Sequence, residues 1–255
     1  MNVVILAGGV GSRLSEETDV RPKPMVEVGH RPILWHIMKH YSHFGFDDFV
    51  LCLGYKGDVI KRYFSEALDE SGDITVDFPS GSIERHPATR EPWRVTMVDT
   101  GPHTETAGRL AKVRDRLGDE PFMMTYGDGV ADVDLRGLLE FHRSHGRLAT
   151  VTAVHPIARF GQLQLDGDSV VRFDEKPQLD QGWVNGGFFV LEPEVFDFIP
   201  GDVDWAREPL ECLAAAGQLA AFRHESFWQC MDTLRDKMLL DDLWQRGKAP
   251  WKVWS

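Results

Sequence analysis

Residues 3 to 24 read VVILAGGVGSRLSEETDVRPKP, a β-branched run that empties into a glycine-dense turn and is followed by two cations. Val3, Val4, Ile5 and Leu6 have the pattern of a buried strand. Gly8, Gly9 and Gly11 then leave a stretch of backbone without side-chain bulk, so its amides can approach a ligand closely. Arg13 follows the glycines and Lys23 stands between Pro22 and Pro24. Bare amides flanked by cations suit a polyphosphate. A glycine turn after a first strand can also be only a tight connection into a helix, and the two cations weigh against that reading. The dinucleotide fingerprint G-x-G-x-x-G fails because Leu14 stands where its third glycine belongs, and no glycine is followed by Lys and Ser or Thr at the Walker A spacing.

A second candidate is Asp128, between Gly127 and Gly129, just after the apolar run Pro121 to Tyr126. Ligands gather at the carboxyl edge of open α/β sheets. A carboxylate facing a polyphosphate there needs a cation between them, because like charges about 4 Å apart repel by about 4 kcal/mol even at an effective dielectric near 20. Magnesium suits the place, being a hard ion commonly held by one or two carboxylates and phosphate oxygens. The competing reading makes Asp128 the cap of a nearby helix. Asp232, in Gln229-Cys230-Met231-Asp232, is equally ambiguous, since an aspartate before a helix is most often its cap. Glu175-Lys176-Pro177 and Asn185-Gly186 could meet a sugar phosphate through Lys176 and sugar hydroxyls through Glu175 and Asn185, although Glu-Lys-Pro also reads as a solvated turn. His36, His40 and His43 recur at i, i+4 and i+7, but Ile37 stands where H-E-x-x-H needs its glutamate, so a packed or solvent-facing stripe is expected rather than zinc.

The elements that must carry these groups alternate strand and helix through the first half, the signature of a parallel sheet with helices on its faces. A helix is expected from Pro32 to Phe44, strands at 49–53, 74–78 and 95–98, and helices at 59–67 and 104–117. Asp132 or Asp134 should open a helix ending near His145. From Leu148 the pattern changes: 162–165 and 169–173 flank Asp166-Gly167-Asp168 as an antiparallel hairpin, 184–191 is a strand, and helices are expected at 193–199, 208–216 and 233–244. With no linker or repeat, the chain reads as one mixed α/β domain with a β-rich C-terminal lobe, a first part of about 1–147 and a second of about 148–255.

Across 255 residues, 42% are hydrophobic and 27% charged, enough for a full core and unlike a disordered chain. A net charge of -12 without a Lys/Arg stripe argues against nucleic acid, so a phosphate must be met locally. The chain has no run of about 20 apolar residues to cross a membrane and no signal-peptide succession after Met1. Cys52, Cys212 and Cys230 are odd in number and scattered, which leads us to expect a reducing, cytoplasmic setting. Trp228, Trp244, Trp251 and Trp254 crowd the C-terminal end, where they could close the core or cover a subunit contact.

Taken in order, LAGGVGSRL with Arg-Pro-Lys-Pro, TYGDGVADVD, FDEKP, WVNGGFFVL and FWQCMDTLRD make this chain resemble the sugar-1-phosphate nucleotidyltransferases, most of all their cytidylyltransferase branch. The likeness runs over nearly the whole chain, including residues 33 to 57 and KAPWK near the end; it is weaker at 79–89 and 180–183, which leaves the sugar open. The resemblance implies a Rossmann-like, mainly parallel mixed sheet with helices on both faces and a sugar-binding C-terminal lobe. It implies that Leu6, Ala7, Gly8, Gly9, Gly11, Ser12 and Arg13 wrap the nucleotide, that Lys23 grips its phosphates, and that Thr104, Thr106, Gly108, Arg109 and Gly127 lie around base and ribose. By the same likeness Asp128 and Asp232 are the magnesium pair, and Glu175, Lys176, Asn185 and Gly186 contact the sugar phosphate. CTP and a sugar 1-phosphate are the implied substrates, and a homo-oligomer the implied assembly.

The implied chemistry is attack of the sugar phosphate oxygen on the α-phosphorus of the nucleotide, in line with departing pyrophosphate. Such a phosphate is nucleophilic near neutral pH without a general base, so positioning and charge neutralisation carry the catalysis: magnesium would bridge the triphosphate to carboxylates such as Asp128, Arg13 and Lys23 offset the charge growing on the leaving group, and Lys176 aims the attacker. A uridylyl- or thymidylyltransferase is the nearest alternative, because a pyrimidine pocket turns on a few hydrogen bonds. A silent sugar-nucleotide sensor is the alternative from another class, and the retention of Arg13, Lys23, Asp128, Lys176 and Asp232 together argues against it.

Overall fold

The computed structural model describes residues 1–9, 11, 14–69, 72–87, 90–156, 162–166, 169–174 and 182–254. In chain order the strands are β1 (Asn2–Ala7), β2 (Glu27–Val28), β3 (Arg31–Pro32), β4 (Asp48–Leu53), β5 (Gly72–Asp77), β6 (Ser82–Pro87), β7 (Arg94–Asp99) and β8 (Phe122–Tyr126). They continue with β9 (Gly129–Ala131), β10 (Ala149–Val154), β11 (Gln162–Asp166), β12 (Ser169–Asp174), β13 (Val184–Leu191), β14 (Leu219–His224) and β15 (Trp228–Cys230). The helices are α1 (Ser15–Thr18), α2 (Ile33–His43), α3 (Gly57–Asp69), α4 (Thr106–Ala111), α5 (Leu135–His145), α6 (Glu208–Ala215) and α7 (Leu234–Gln245).

The central sheet has seven strands in the order β14-β10-β13-β8-β1-β4-β7. β1 is parallel to both β4 and β8, β4 to β7, and β10 to β14, while β13 runs antiparallel between β10 and β8. Three strands of the C-terminal half thus extend the sheet begun by the N-terminal half. The chain leaves β1 toward β4 and β7, then returns to lay β8 on the other side of β1. That reversal opens a crevice at the carboxyl ends of β1 and β8, where an open α/β sheet binds its ligands.

Period-two alternation builds the core on both faces of the sheet. Val3, Ile5, Leu51, Leu53 and Met123 point to one side and meet α2 and α5 through Ile33, Ile37, Tyr41 and Leu138. Val4, Leu6, Val50, Phe122 and Met124 point to the other and meet Ala107 and Leu110 of α4, with Trp205 and Leu213. Burying each such large side chain stabilises the fold by about 1.5–3 kcal/mol. Asp134 opens α5 by accepting the Arg136 and Gly137 amides, and Gly146 ends it with φ 64°.

The expected helix at 104–117 is corrected. α4 stops at Ala111 and a 3-10 turn at Arg114–Arg116 follows. Leu110, Val113 and Leu117 are all buried, so their spacing serves a helix interrupted by a tighter turn as well as a continuous one. The hairpin β11–β12 is antiparallel as expected, and the turn residues Gly167 and Asp168 lie outside the described residues. The β6 strand paired with β5 was not expected; its sequence, SIERHP, is polar and closes on a proline.

Candidate functional site

The crevice is lined first by the glycine turn after β1. Gly8 leaves no room for a side chain, since a Cβ there would lie 2.2 Å from Arg109 Nη1. Arg109, on α4, is buried, and its guanidinium donates to the Leu53 carbonyl at 3.1 Å, Thr100 Oγ1 at 2.8 Å, the Gly101 carbonyl at 2.7 Å and the Gly8 carbonyl at 3.0 Å. Burial pulls its pKa down while Cys52, Asp202, Glu105 and Asp99 oppose that shift. Arg109 therefore lines the cavity and sets the shape of the glycine turn from behind.

Opposite the turn, Gly127 continues β8 and its amide donates to the Leu6 carbonyl at 3.1 Å. Pro24 packs so closely that a Cβ on Gly127 would lie 3.0 Å from its Cγ. Residues 104–106 close a third side. Thr104 Oγ1 donates to the Thr100 carbonyl at 2.5 Å, the Glu105 amide to Asp202 Oδ1 at 2.8 Å, and Thr106 Oγ1 to Asp204 Oδ1 at 2.8 Å. The resulting cavity of about 240 Å³ brings together Leu6, Gly8, Gly9, Gly11, Lys23, Thr104, Thr106, Arg109, Gly127 and Asp128. Ala7 is buried in the core, and Gly108 lies on the far side of α4, where Asp202 would strike a Cβ at 2.1 Å. Ser12 and Arg13 lie outside the described residues.

A second cavity of about 200 Å³ adjoins the first and shares Tyr126 and Asp128 with it. Asn185 and Gly186, at the start of β13, line it together with Asp232. Asn185 is hydrogen-bonded to the Tyr126 hydroxyl and accepts the Gly187 amide at 2.8 Å. Burial raises the Tyr126 pKa, so the group is a neutral donor throughout the working range. Trp228 Nε1 donates to the Gly186 carbonyl at 2.7 Å, which assigns this tryptophan to the cavity. Glu175 and Lys176 lie outside the described residues.

Between the cavities the two aspartates meet on one cation. Lys23 Nζ donates to Asp128 Oδ2 at 2.6 Å and to Asp232 Oδ1 at 2.5 Å, with side-chain exposures of 11%, 30% and 21% respectively. Desolvation works to lower the Lys23 pKa, but the adjacent Asp128 and Asp232 carboxylates outweigh it and the net shift is upward. The meeting is made by a short antiparallel ribbon, in which β15 pairs with β9 through Cys230 and Gly129, and the Met231 amide then donates to the Asp128 carbonyl at 2.8 Å. Neither aspartate caps a helix: α5 is capped by Asp134, and α7 by Thr233 in a capping box with Asp236.

Two carboxylates converging on a single positive atom are a donor set that fits a hard divalent cation. Among the described residues no group of three or more His, Cys, Asp or Glu could hold a metal ion, so phosphate oxygens would have to complete the shell. The histidine stripe supplies no ligand set. His36 Nε2 donates to the Val28 carbonyl at 2.8 Å while Nδ1 accepts from Trp251 Nε1, and His40 Nε2 lies 2.9 Å from the Val133 carbonyl. Desolvation pushes both pKa values down to about 4.

The family model described as nucleotidyl transferase matches residues 2–232. The chain belongs to the nucleotidyl transferase family. Over its full length it is 54% identical to the glucose-1-phosphate cytidylyltransferase of Salmonella typhi, the alignment covering 100% of both chains. It is 31% identical to mannose-1-phosphate guanylyltransferase 1 of Arabidopsis thaliana, covering 100% of this chain and 68% of that one. The solved structure of HddC from Yersinia pseudotuberculosis shares the fold, with a TM-score of 0.70 at 22% identity over 95% of this chain and 99% of that one. Nucleotidyl transferases generally use a divalent metal. Among the described residues of this nucleotidyl transferase, no helix is long and apolar enough to cross a membrane.

Reasoning from the sequence missed Tyr126, Glu105, Trp228 and Cys230, all of which line the two cavities. Tyr126 carried a usable signal, standing one residue before Gly127 at the carboxyl end of a strand already marked as the site edge. Trp228 carried none, because an aromatic in a short apolar stretch reads equally well as core.

Proposed function

We propose that this nucleotidyl transferase transfers the cytidylyl group of CTP to glucose 1-phosphate, giving CDP-glucose and pyrophosphate. A sugar phosphate oxygen forms the new bond to the α-phosphorus, the bond from that phosphorus to the bridging α,β oxygen breaks, and pyrophosphate carries away its electron pair. The observation that carries the reading is the convergence of Asp128 and Asp232 on Lys23 at the seam between two adjoining cavities. Full-length 54% identity to a glucose-1-phosphate cytidylyltransferase supports the choice of nucleotide and sugar.

The larger cavity takes the nucleotide, with the backbone of Gly8, Gly9 and Gly11 along the triphosphate and residues 104–106 toward base and ribose. The smaller takes the sugar phosphate, with Asn185 and Tyr126 offering polar groups and Trp228 a flat apolar wall. Lys23 contributes a fixed positive charge where negative charge collects, and its short contacts hold it in place. Asp128 and Asp232 would hold magnesium, which when bound supplies charge neutralisation of the triphosphate. By the family resemblance Arg13 and Lys176 would add positive charge, and the enzyme works in the cytoplasm.

Pyrophosphate release from CTP, UTP and dTTP, each paired with several sugar 1-phosphates and magnesium, tests the reading. CTP with glucose 1-phosphate should be turned over fastest. Preference for UTP or dTTP would reject the cytidylyl assignment, and binding of CDP-glucose without any turnover would reject catalysis.

A further inference from the structure

Asp232 lies two residues beyond β15, and Cys230 Sγ of that strand donates to its Oδ2 at 3.8 Å. Its backbone amide is fastened one helical turn later. The Asp236 carboxylate accepts four hydrogen bonds: at Oδ2 from the Asp232 amide at 3.1 Å, the Thr233 amide at 2.8 Å and Thr233 Oγ1 at 2.8 Å, and at Oδ1 from Gln229 Nε2 at 3.1 Å. A capping box needs only the reciprocal pair with Thr233. The bonds to Asp232 and Gln229 go beyond it, and they join the first turn of α7 to the ribbon that carries Asp128, since Gln229 pairs with Val130 in β9. Gln229 is itself buried and its Nε2 also donates to the Cys230 carbonyl at 2.7 Å, so the segment 229–233 is tied at both ends to one carboxylate.

We propose that Asp236 is a positioning residue for the reaction: by fixing the backbone of Asp232 it holds that carboxylate within reach of Asp128, and so sets the affinity of the pair for a divalent cation. Asp236 touches neither cavity, and its action is through Asp232. The inference rests on the reading of Asp128 and Asp232 as the cation-binding pair. Groups that orient metal ligands from behind commonly change metal affinity by 10- to 100-fold when removed.

The test measures binding of Mn²⁺ by electron paramagnetic resonance in the presence of CTP, alongside urea unfolding, for the parent chain and for Asp236→Ala, Asp236→Asn and Asp236→Glu. Asp134→Ala, which removes the cap of α5 away from the aspartate pair, serves as the control for a purely structural loss. Asp236→Ala and Asp236→Asn should bind Mn²⁺ about 10- to 100-fold more weakly. Asp236→Glu, able to rebuild the box and reach the Asp232 amide, should recover most of that affinity. Asp134→Ala should lower stability and leave Mn²⁺ affinity unchanged. Folded Ala and Asn variants with parental Mn²⁺ affinity would make Asp236 a helix cap only, and so would an equal loss in Asp134→Ala. Failure of the underlying reading is distinct: there Asp232→Asn would leave Mn²⁺ binding at the parental level.

Discussion

Replacing Lys23 by Met keeps the length and apolar stem of the side chain and removes only the charge between the two aspartates. Because Asp128 Oδ2 and Asp232 Oδ1 lie 2.6 and 2.5 Å from Nζ, these oxygens stand at most about 5 Å apart. Two such charges at an effective dielectric near 20 repel by about 3 kcal/mol, with the partial exposure of both carboxylates drawing the value down. In EDTA at pH 8, Lys23→Met should therefore unfold about 2–3 kcal/mol more easily than the parent, a shift of about 1 M in urea midpoint for an m-value near 3 kcal/mol/M. Millimolar magnesium should restore more stability to the variant than it adds to the parent, since a cation then serves a carboxylate pair that no lysine competes for. Equal midpoints in EDTA, or the same magnesium increment in both proteins, would refute the argument that this lysine holds the pair together.

Two further outcomes follow from the site and the core. Asp128→Asn should lower pyrophosphate release by about 10²- to 10³-fold while the far-ultraviolet circular dichroism stays that of the parent, and a folded, active variant would remove Asp128 from the cation pair. His36 and His40 are buried with pKa values near 4, below their unfolded values, so the unfolded chain binds more protons between about pH 6.5 and 4. Stability is then fully present above that window and falls as the pH drops through it, by about 3 kcal/mol per histidine; urea midpoints that stay flat from pH 7 to 4.5 would contradict the burial argument.

The strand and glycine turn at residues 3–11, the placement of Asp128 and the bounds of β13 were legible because each is local: a β-branched run, bare backbone, and a carboxylate at a strand end. The partnership of Asp128 with Asp232 was not legible from the residues themselves. It depends on the pairing of β9 with β15, each three residues long, too short to show any period. Resemblance to a family suggested the pair where physical reading could not. α4 was overextended for a different reason: Val113 and Leu117 face the same core as Leu110, and burial periodicity does not register a change from a 3.6- to a 3-residue turn. The cavity wall formed by Trp228 was invisible because its indole hydrogen bond is to a carbonyl 42 positions away in the chain.

The clasp made by Arg109 has a consequence for how such a protein can change its preferences. One guanidinium fastens the ends of three neighbouring strands to the helix whose first residue, with Glu105, borders the larger cavity. With the nucleotide in that cavity as proposed, a shift of the helix to admit a larger ring would drag the Gly8 carbonyl with it and misalign the backbone laid along the triphosphate. On that reading, recognition of the ring and grip on the phosphates are geared together, and drift toward a new nucleotide would have to retune both at once.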